Sequence, residues 1–244
     1  MTIPVGPFLN ALGILLGGIF GLALRQPISA RTQFFFRNAL GAFTVFFGLQ
    51  LIWSGLDGTF WACVEQILVA LLGLILGNLL GKILGLQKIS NRLGRIAGTS
   101  IVTAQKNPAQ KSGGFNACVI LFCAAPLGIV GAVTDGLSGY FYLLAVKAVM
   151  DALAMISFIK IFRWPCALSA FPVFIFFGAI SYACRFYAQP FLNAQHLIFS
   201  VNLAAGFIAC AVALVIFEIR KVELANFLAA LATAPLLAWL LGVK

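Results

Sequence analysis

Charge is what this sequence has least of. Lys, Arg, Asp and Glu make up 9% of its 244 residues, against about 25% in an ordinary soluble domain. So few charges cannot cover a water-facing surface of this size, and lipid must cover it instead. Acid is scarce, with six Asp and Glu, and His196 is the single histidine. One histidine excludes an HExxH zinc protease and any histidine-bridged metal centre. GxSxG, Walker A and GxGxxG patterns are missing too, so hydrolase, nucleotide and dinucleotide chemistry have no signature. No nucleophile–base set stands out, and neither an enzyme nor a cofactor is expected. Intramembrane proteolysis would need a second deep acid beside Asp151, and Asp57 and Asp135 are both predicted at the outer surface.

What fills the space is apolar: 62% of residues are hydrophobic, and the mean hydropathy is +1.07. The long apolar runs are separated by short polar breaks. Most reach the roughly 20 residues that cross about 30 Å of hydrocarbon as a helix. Lipid offers no partner for a loose N–H or C=O, so each run is predicted to be helical. The residue-by-residue alternation of barrel strands is absent. The expected fold is all-α, a polytopic transmembrane helix bundle in one integral membrane domain over 1–244. About eight spans are predicted (seven on a stricter count), at 5–24, 36–55, 60–84, 115–134, 138–161, 166–186, 195–217 and 222–241.

The net charge of +10 does not point to nucleic acid, because the basic residues sit between the apolar runs. Alternate loops hold Arg25, Arg31 and Arg37; Lys82, Lys88, Arg92, Arg95, Lys106 and Lys111; Lys160 and Arg163; and Arg220 and Lys221. The bias predicts basic loops in the cytoplasm and both termini outside. Trp53, Trp61, Trp164 and Trp239 fall near predicted span ends, where an indole keeps its ring apolar and its N–H wet. A cleaved signal peptide is not expected, since Met1-Thr2-Ile3-Pro4 has no basic stretch and no A-x-A exit follows. The longest break, 87–114, is read as a basic cytoplasmic loop or an interfacial amphipathic helix. Ile89, Leu93 and Ile96 have helical spacing there beside Lys88, Arg92 and Arg95, which suits anionic lipid. Asn107-Pro108 then breaks any helix.

The six cysteines lie in apolar stretches with no CxxC pair and read as soft packing residues. Gly13, Gly17 and Gly21, and Gly73, Gly77, Gly81 and Gly85, form four-residue ladders that allow close helix contact, within the chain or in a homo-oligomer. A faint repeat sets Asn38-Ala39 against Asn116-Ala117 and Asp57-Gly58 against Asp135-Gly136.

Candidate functional residues centre on the fifth run. Lys147 and Asp151 are four apart near its midpoint, share a face and can pair. Each charge costs about 2.5–3.5 kcal/mol at a helix centre. That cost is usually met facing a bundle interior or wet cavity, where ionisable groups mark pathways. The plainer reading is an intrahelical ion pair that fixes packing. Asp135-Gly136 reads as a turn, or Asp135 caps the next span and guards an outer vestibule. Glu65 sits shallowly in the third span. Asn10, Asn116 and Asn202 are intramembrane amides that either bond between helices or join Lys147 and Asp151 around a solute. Pro126 and Pro172 are expected to kink their spans.

Three stretches resemble a family of uncharacterised bacterial inner-membrane proteins that includes YqgA and YdfK. They are Pro4-Val5-Gly6-Pro7-Phe8-Leu9-Asn10, the segment from Gly114-Phe115 through Gly131-Ala132-Val133-Thr134-Asp135-Gly136-Leu137 to Lys147 and Asp151, and Val222-Glu223-Leu224-Ala225-Asn226-Phe227-Leu228. Lys82 and Gln87 depart from the pattern, standing where an acidic residue is expected. The resemblance implies a multi-pass cytoplasmic-membrane protein and supplies no substrate. The residues themselves favour a small-solute or ion transporter or channel, with a membrane scaffold or assembly partner as the alternative.

Overall fold

The computed structural model describes residues 4–24, 29–106 and 113–243. Met1-Thr2-Ile3, Arg25, Asn107-Pro108, Lys111 and Lys244 lie outside the described residues. The helices are α1 (Val5–Ala23), α2 (Ala30–Ser54), α3 (Phe60–Ile83), α4 (Leu86–Lys106), α5 (Gly114–Cys123), α6 (Pro126–Ser138), α7 (Tyr142–Phe162), α8 (Ala170–Ala183), α9 (Gln189–Ala194), α10 (Ile198–Ile216), α11 (Leu224–Phe227) and α12 (Ala230–Leu241). A 3-10 turn at Trp164–Ser169 leads into α8, and a π-helical turn at Cys184–Ala188 joins α8 to α9. No strand occurs among the described residues.

Local chemistry sets the boundaries. Ser29 caps α2 by accepting the Thr32 N–H at 3.2 Å, so α2 starts six residues before the apolar run and carries Arg31 and Gln33 as a polar extension. Pro126 does more than kink the fourth run. It opens α6 at a position where no N–H is needed, and α5 and α6 meet at 58° as a broken span. Pro172 does not kink its span. It lies in the first turn of α8, where a missing donor costs no helical bond.

Seven helical segments are long and apolar enough to cross a membrane, and the bent α5–α6 pair makes an eighth. The direction of the close contacts settles whether that pair crosses or turns back. Gly13, Gly17 and Gly21 of α1 meet Ala148, Ala152 and Ile156 of α7 in the same chain order, so α1 and α7 are parallel. Parallel packing requires an even number of crossings from one to the other, which holds only if α5–α6 crosses once. Gly73, Gly77 and Gly81 of α3 meet Ala234, Ala230 and Asn226 in reverse order. Gly41, Gly48 and Gly55 of α2 likewise run against Phe217, Gly206 and Phe199 around α10. All three seams fit eight crossings, which bring Pro4 and Val243 to the same side. The α1 and α3 glycine ladders are therefore covered from within the chain, and those faces are not open for an oligomer contact.

The segment after α3 is the amphipathic helix α4, not an irregular loop. Ala97 and Ala104 are buried, while Ile89 and Ile96 are exposed alongside exposed Lys88, Arg92 and Arg95. Gln87 fastens its start: the Gln87 N–H donates to Asn226 Oδ1 and the Ala225 N–H donates to Gln87 Oε1, both at 3.1 Å. Basic residues at the same end are tied locally. Arg37 pairs with Glu218, and Lys160 donates to the Leu24 carbonyl at the end of α1, where the helix dipole favours a cation. All four tryptophans are exposed at helix ends, as an interfacial belt requires. The repeat is unequal in structure, since α2 is continuous where α5–α6 is broken. Asp57-Gly58 lies in a loop with Gly58 at φ 94°, whereas Asp135-Gly136 is helical.

Candidate functional site

Lys147 and Asp151 form an ion pair on one face of α7, with Nζ to Oδ2 at 2.5 Å. Lys147 is 2% exposed and Asp151 7%. The break after α5 is what accommodates them. Phe122 in the last turn of α5 and Phe177 of α8 present their rings to Lys147 Nζ, with centroids at 5.7 and 5.4 Å. A cation between two aromatic faces recovers part of its lost hydration. Gly128 in the first turn of α6 leaves room for the lysine stem, since a Cβ there would come within 2.6 Å of Lys147 Cε. Cys123, the last residue of α5, lies within electrostatic reach of both charges. The end of α5 and the start of α6 thus lie near the pair.

Asn10 of α1 joins this site. It is fully buried, with its amide facing the Asp151 carboxylate, and its Oδ1 has no hydrogen-bond partner. An unsatisfied amide costs about 1–3 kcal/mol, so a group placed there without a partner calls for a ligand or water.

Asp135 takes another role from the two expected of it. It is neither in a turn nor capping α7; it is buried in the last turns of α6. The turn belongs to Gly139, at φ 71°, and α7 begins at Phe141 with no side-chain cap. Asp135 Oδ1 accepts the Gly6 N–H at 3.4 Å, placing a carboxylate at the positive end of α1. Ser181 of α8 and Arg185 of the π-helical turn face it, and Ser181 Oγ also donates to the Ala132 carbonyl at 2.9 Å. Leu144 fills the space between, packed on Gly6 and Gly131 one turn of α7 before Lys147. Two polar clusters therefore lie along α7, separated by a leucine.

Asn116 and Asn202 do not join them. Asn116 is exposed in the first turn of α5. Asn202 is buried on α10 beside Gly55, its Oδ1 unpaired. Glu65 is exposed on α3. Sequence reading missed Phe122, Phe177, Gly128, Ser181 and Arg185. Only Gly128, two residues after a span-breaking proline, carried a local signal. Four cavities among the described residues are lined by neither Lys147 nor Asp151, and both side chains are buried in this conformation. One apolar groove, between α4, α5, α8 and α11, ends at Cys123 and Ala124 on the break.

Seven long apolar helices and a broken span, enclosing an internal charge pair, define a multi-pass membrane protein. The family model described as "Protein of unknown function (DUF554)" matches residues 5–239, and the chain belongs to that family. It is similar to the uncharacterized protein YqgA of Escherichia coli (strain K12), 27% identical over 232 residues, covering 94% of each chain. It is also similar to the uncharacterized membrane protein YdfK of Bacillus subtilis (strain 168), 24% identical over 236 residues, 97% of this chain and 96% of that one. No solved structure matches.

Proposed function

We propose that this protein moves a small polar solute or ion across the bacterial cytoplasmic membrane, as a transporter rather than an enzyme, and that Lys147 and Asp151 form its central site. The observation that carries this reading is the unpartnered Asn10 Oδ1 beside a buried ion pair at a helix break. Asp151 exchanges Lys147 for a cation or proton, with Asn10 Oδ1 as a further oxygen ligand, and Lys147 serves as the built-in counter-cation. Its aromatic neighbours hold the released ammonium. The present conformation is the occluded one. Leu144 bars the way towards Asp135 and Arg185, and the groove at Cys123 and Ala124 marks where the other side opens. The charge bias supports basic loops in the cytoplasm and both ends of the chain outside. On that orientation α4 lies along the inner leaflet, with Ile89 and Ile96 in the acyl boundary and Lys88, Arg92 and Arg95 on anionic headgroups.

Proteoliposomes test this directly, with an entrapped pH dye for protons and tracer sodium or rubidium for cations. The wild type is expected to support flux, and Lys147→Ala and Asp151→Ala to abolish it while still inserting. Equal flux in wild type and both variants rules the site out. The scaffold reading is favoured by the dry filling around Lys147. It predicts no flux from the wild type and co-purification of a partner through the basic α4 segment.

A further inference from the structure

Three sulfur atoms from three segments meet near the end of α7 that bears Lys160. Cys166 Sγ, on the 3-10 turn, lies 3.6 Å from Met155 Sδ of α7, and the Cys118 side chain of α5 packs in the same buried cluster, facing Cys166. All three residues are fully buried. The backbone is distorted to deliver Cys166: Arg163 is held at φ 68° and ψ −173°, a region essentially reserved for glycine. In return the Arg163 carbonyl accepts the Cys166 thiol at 2.9 Å. A cavity of about 630 Å³ opens beside Cys166, with Lys160, Arg163 and Trp164 in its lining. Cys166 therefore separates the buried cluster from this cavity.

We propose that Cys118, Cys166 and Met155 form a binding site for a soft monovalent cation, Cu(I) or its redox-inert stand-in Ag(I). Two thiols and a thioether, with no imidazole or carboxylate, are the donor set that soft ions select. Metal–sulfur bonds of about 2.3 Å in a trigonal plane would put the sulfurs roughly 4 Å apart, close to the Cys166–Met155 separation already present. Capture is an exchange without electron transfer: each thiol gives up its proton as its sulfur bonds the ion, and two protons leave through the cavity. The bound site carries one net negative charge, which Lys160 and Arg163 at the mouth offset. A disulfide between the two cysteines would instead require an oxidant that nothing in the structure supplies. The site is separate from Lys147 and Asp151, and does not depend on the transport reading.

The test is Cu(I) titration of the purified full-length protein in detergent, anaerobically and against a chromogenic Cu(I) chelator, repeated with Ag(I). One ion per chain is expected, with sulfur-only ligation in X-ray absorption. Cys118→Ser and Cys166→Ser should each weaken capture about a hundredfold or more, above the 10–100-fold typical of outer-shell changes. Met155→Leu keeps the packing volume and should weaken it about tenfold while leaving the metal-free melting temperature unchanged. The double variant Cys63→Ser, Cys210→Ser should bind as the wild type does. Stoichiometry below one in the wild type, or affinity unchanged by Met155→Leu and Cys166→Ser, overturns the proposal.

Discussion

Two seams of this protein are built from the same material and have different surroundings. The α1–α7 seam and the α3–α12 seam each set glycines four apart against a facing segment, with two of the three glycines in each meeting alanines. Each lets backbones approach closely, the usual way for helices to associate where lipid removes the hydrophobic incentive. The α3 seam is antiparallel and runs among alanines, with Thr233 Oγ donating to the Gly73 carbonyl at 2.7 Å as a cross-link. The α1 seam is parallel, and on the adjoining face of α7 it carries Lys147 and Asp151, with Asn10 contributed by α1. Glycine spacing sets how close two helices come. What separates the two seams is the flank: beside the first, Gly128 and Gly131 of the broken span pack directly on Lys147 and Leu144 of α7.

The sharpest way to break this comparison is to remove one charge. Lys147→Leu or Asp151→Leu alone leaves an uncompensated buried charge and should cost about 3–5 kcal/mol, whereas the double leucine variant should be near neutral or more stable. Melting temperatures in detergent read this out, and a single variant as stable as the wild type would mean water reaches the pair freely. Next in size is overpacking. Gly17→Leu and Gly77→Leu each drive a side chain into the facing backbone and should cost about 1–3 kcal/mol or more. On the transport reading only Gly17→Leu should also abolish flux, measured in vesicles holding equal folded protein. Equal flux loss in both would erase the distinction between the seams. The smallest effect is expected at Asn10. Asn10→Leu removes an amide whose Oδ1 has no partner and whose other end faces Asp151, and should change stability by no more than about 1 kcal/mol, while reducing flux. A clear fall in melting temperature would show that the amide is satisfied after all.

Much of the fold could be read in advance because hydrocarbon permits so few answers. Helical runs, their number, the amphipathic character of 87–106 and the Lys147–Asp151 pair all follow from apolar length and four-residue spacing. The misreadings share one cause. Asp135-Gly136 has the composition of a turn, but the helix runs on to Gly139, and the carboxylate is taken up by the Gly6 N–H far away in the chain. Asn116 and Asn202 look like Asn10 in sequence, yet α5 turns the first outward and α10 carries the second to another flank. A periodic pattern reports the face a residue shares with its own helix; it carries no information on which helix covers that face.

By itself, then, the sequence determined that the chain lives in lipid, that it crosses as helices, and that two opposite charges sit on one face of the seventh helix. These are local properties, fixed by transfer cost and backbone hydrogen bonding. Tertiary structure alone decided that α1 lies parallel against α7, that Phe122, Phe177 and Gly128 enclose Lys147, and that Cys118, Cys166 and Met155 meet. Each depends on contacts between segments distant in the chain, which side-chain volume and backbone approach select only once the helices are packed together.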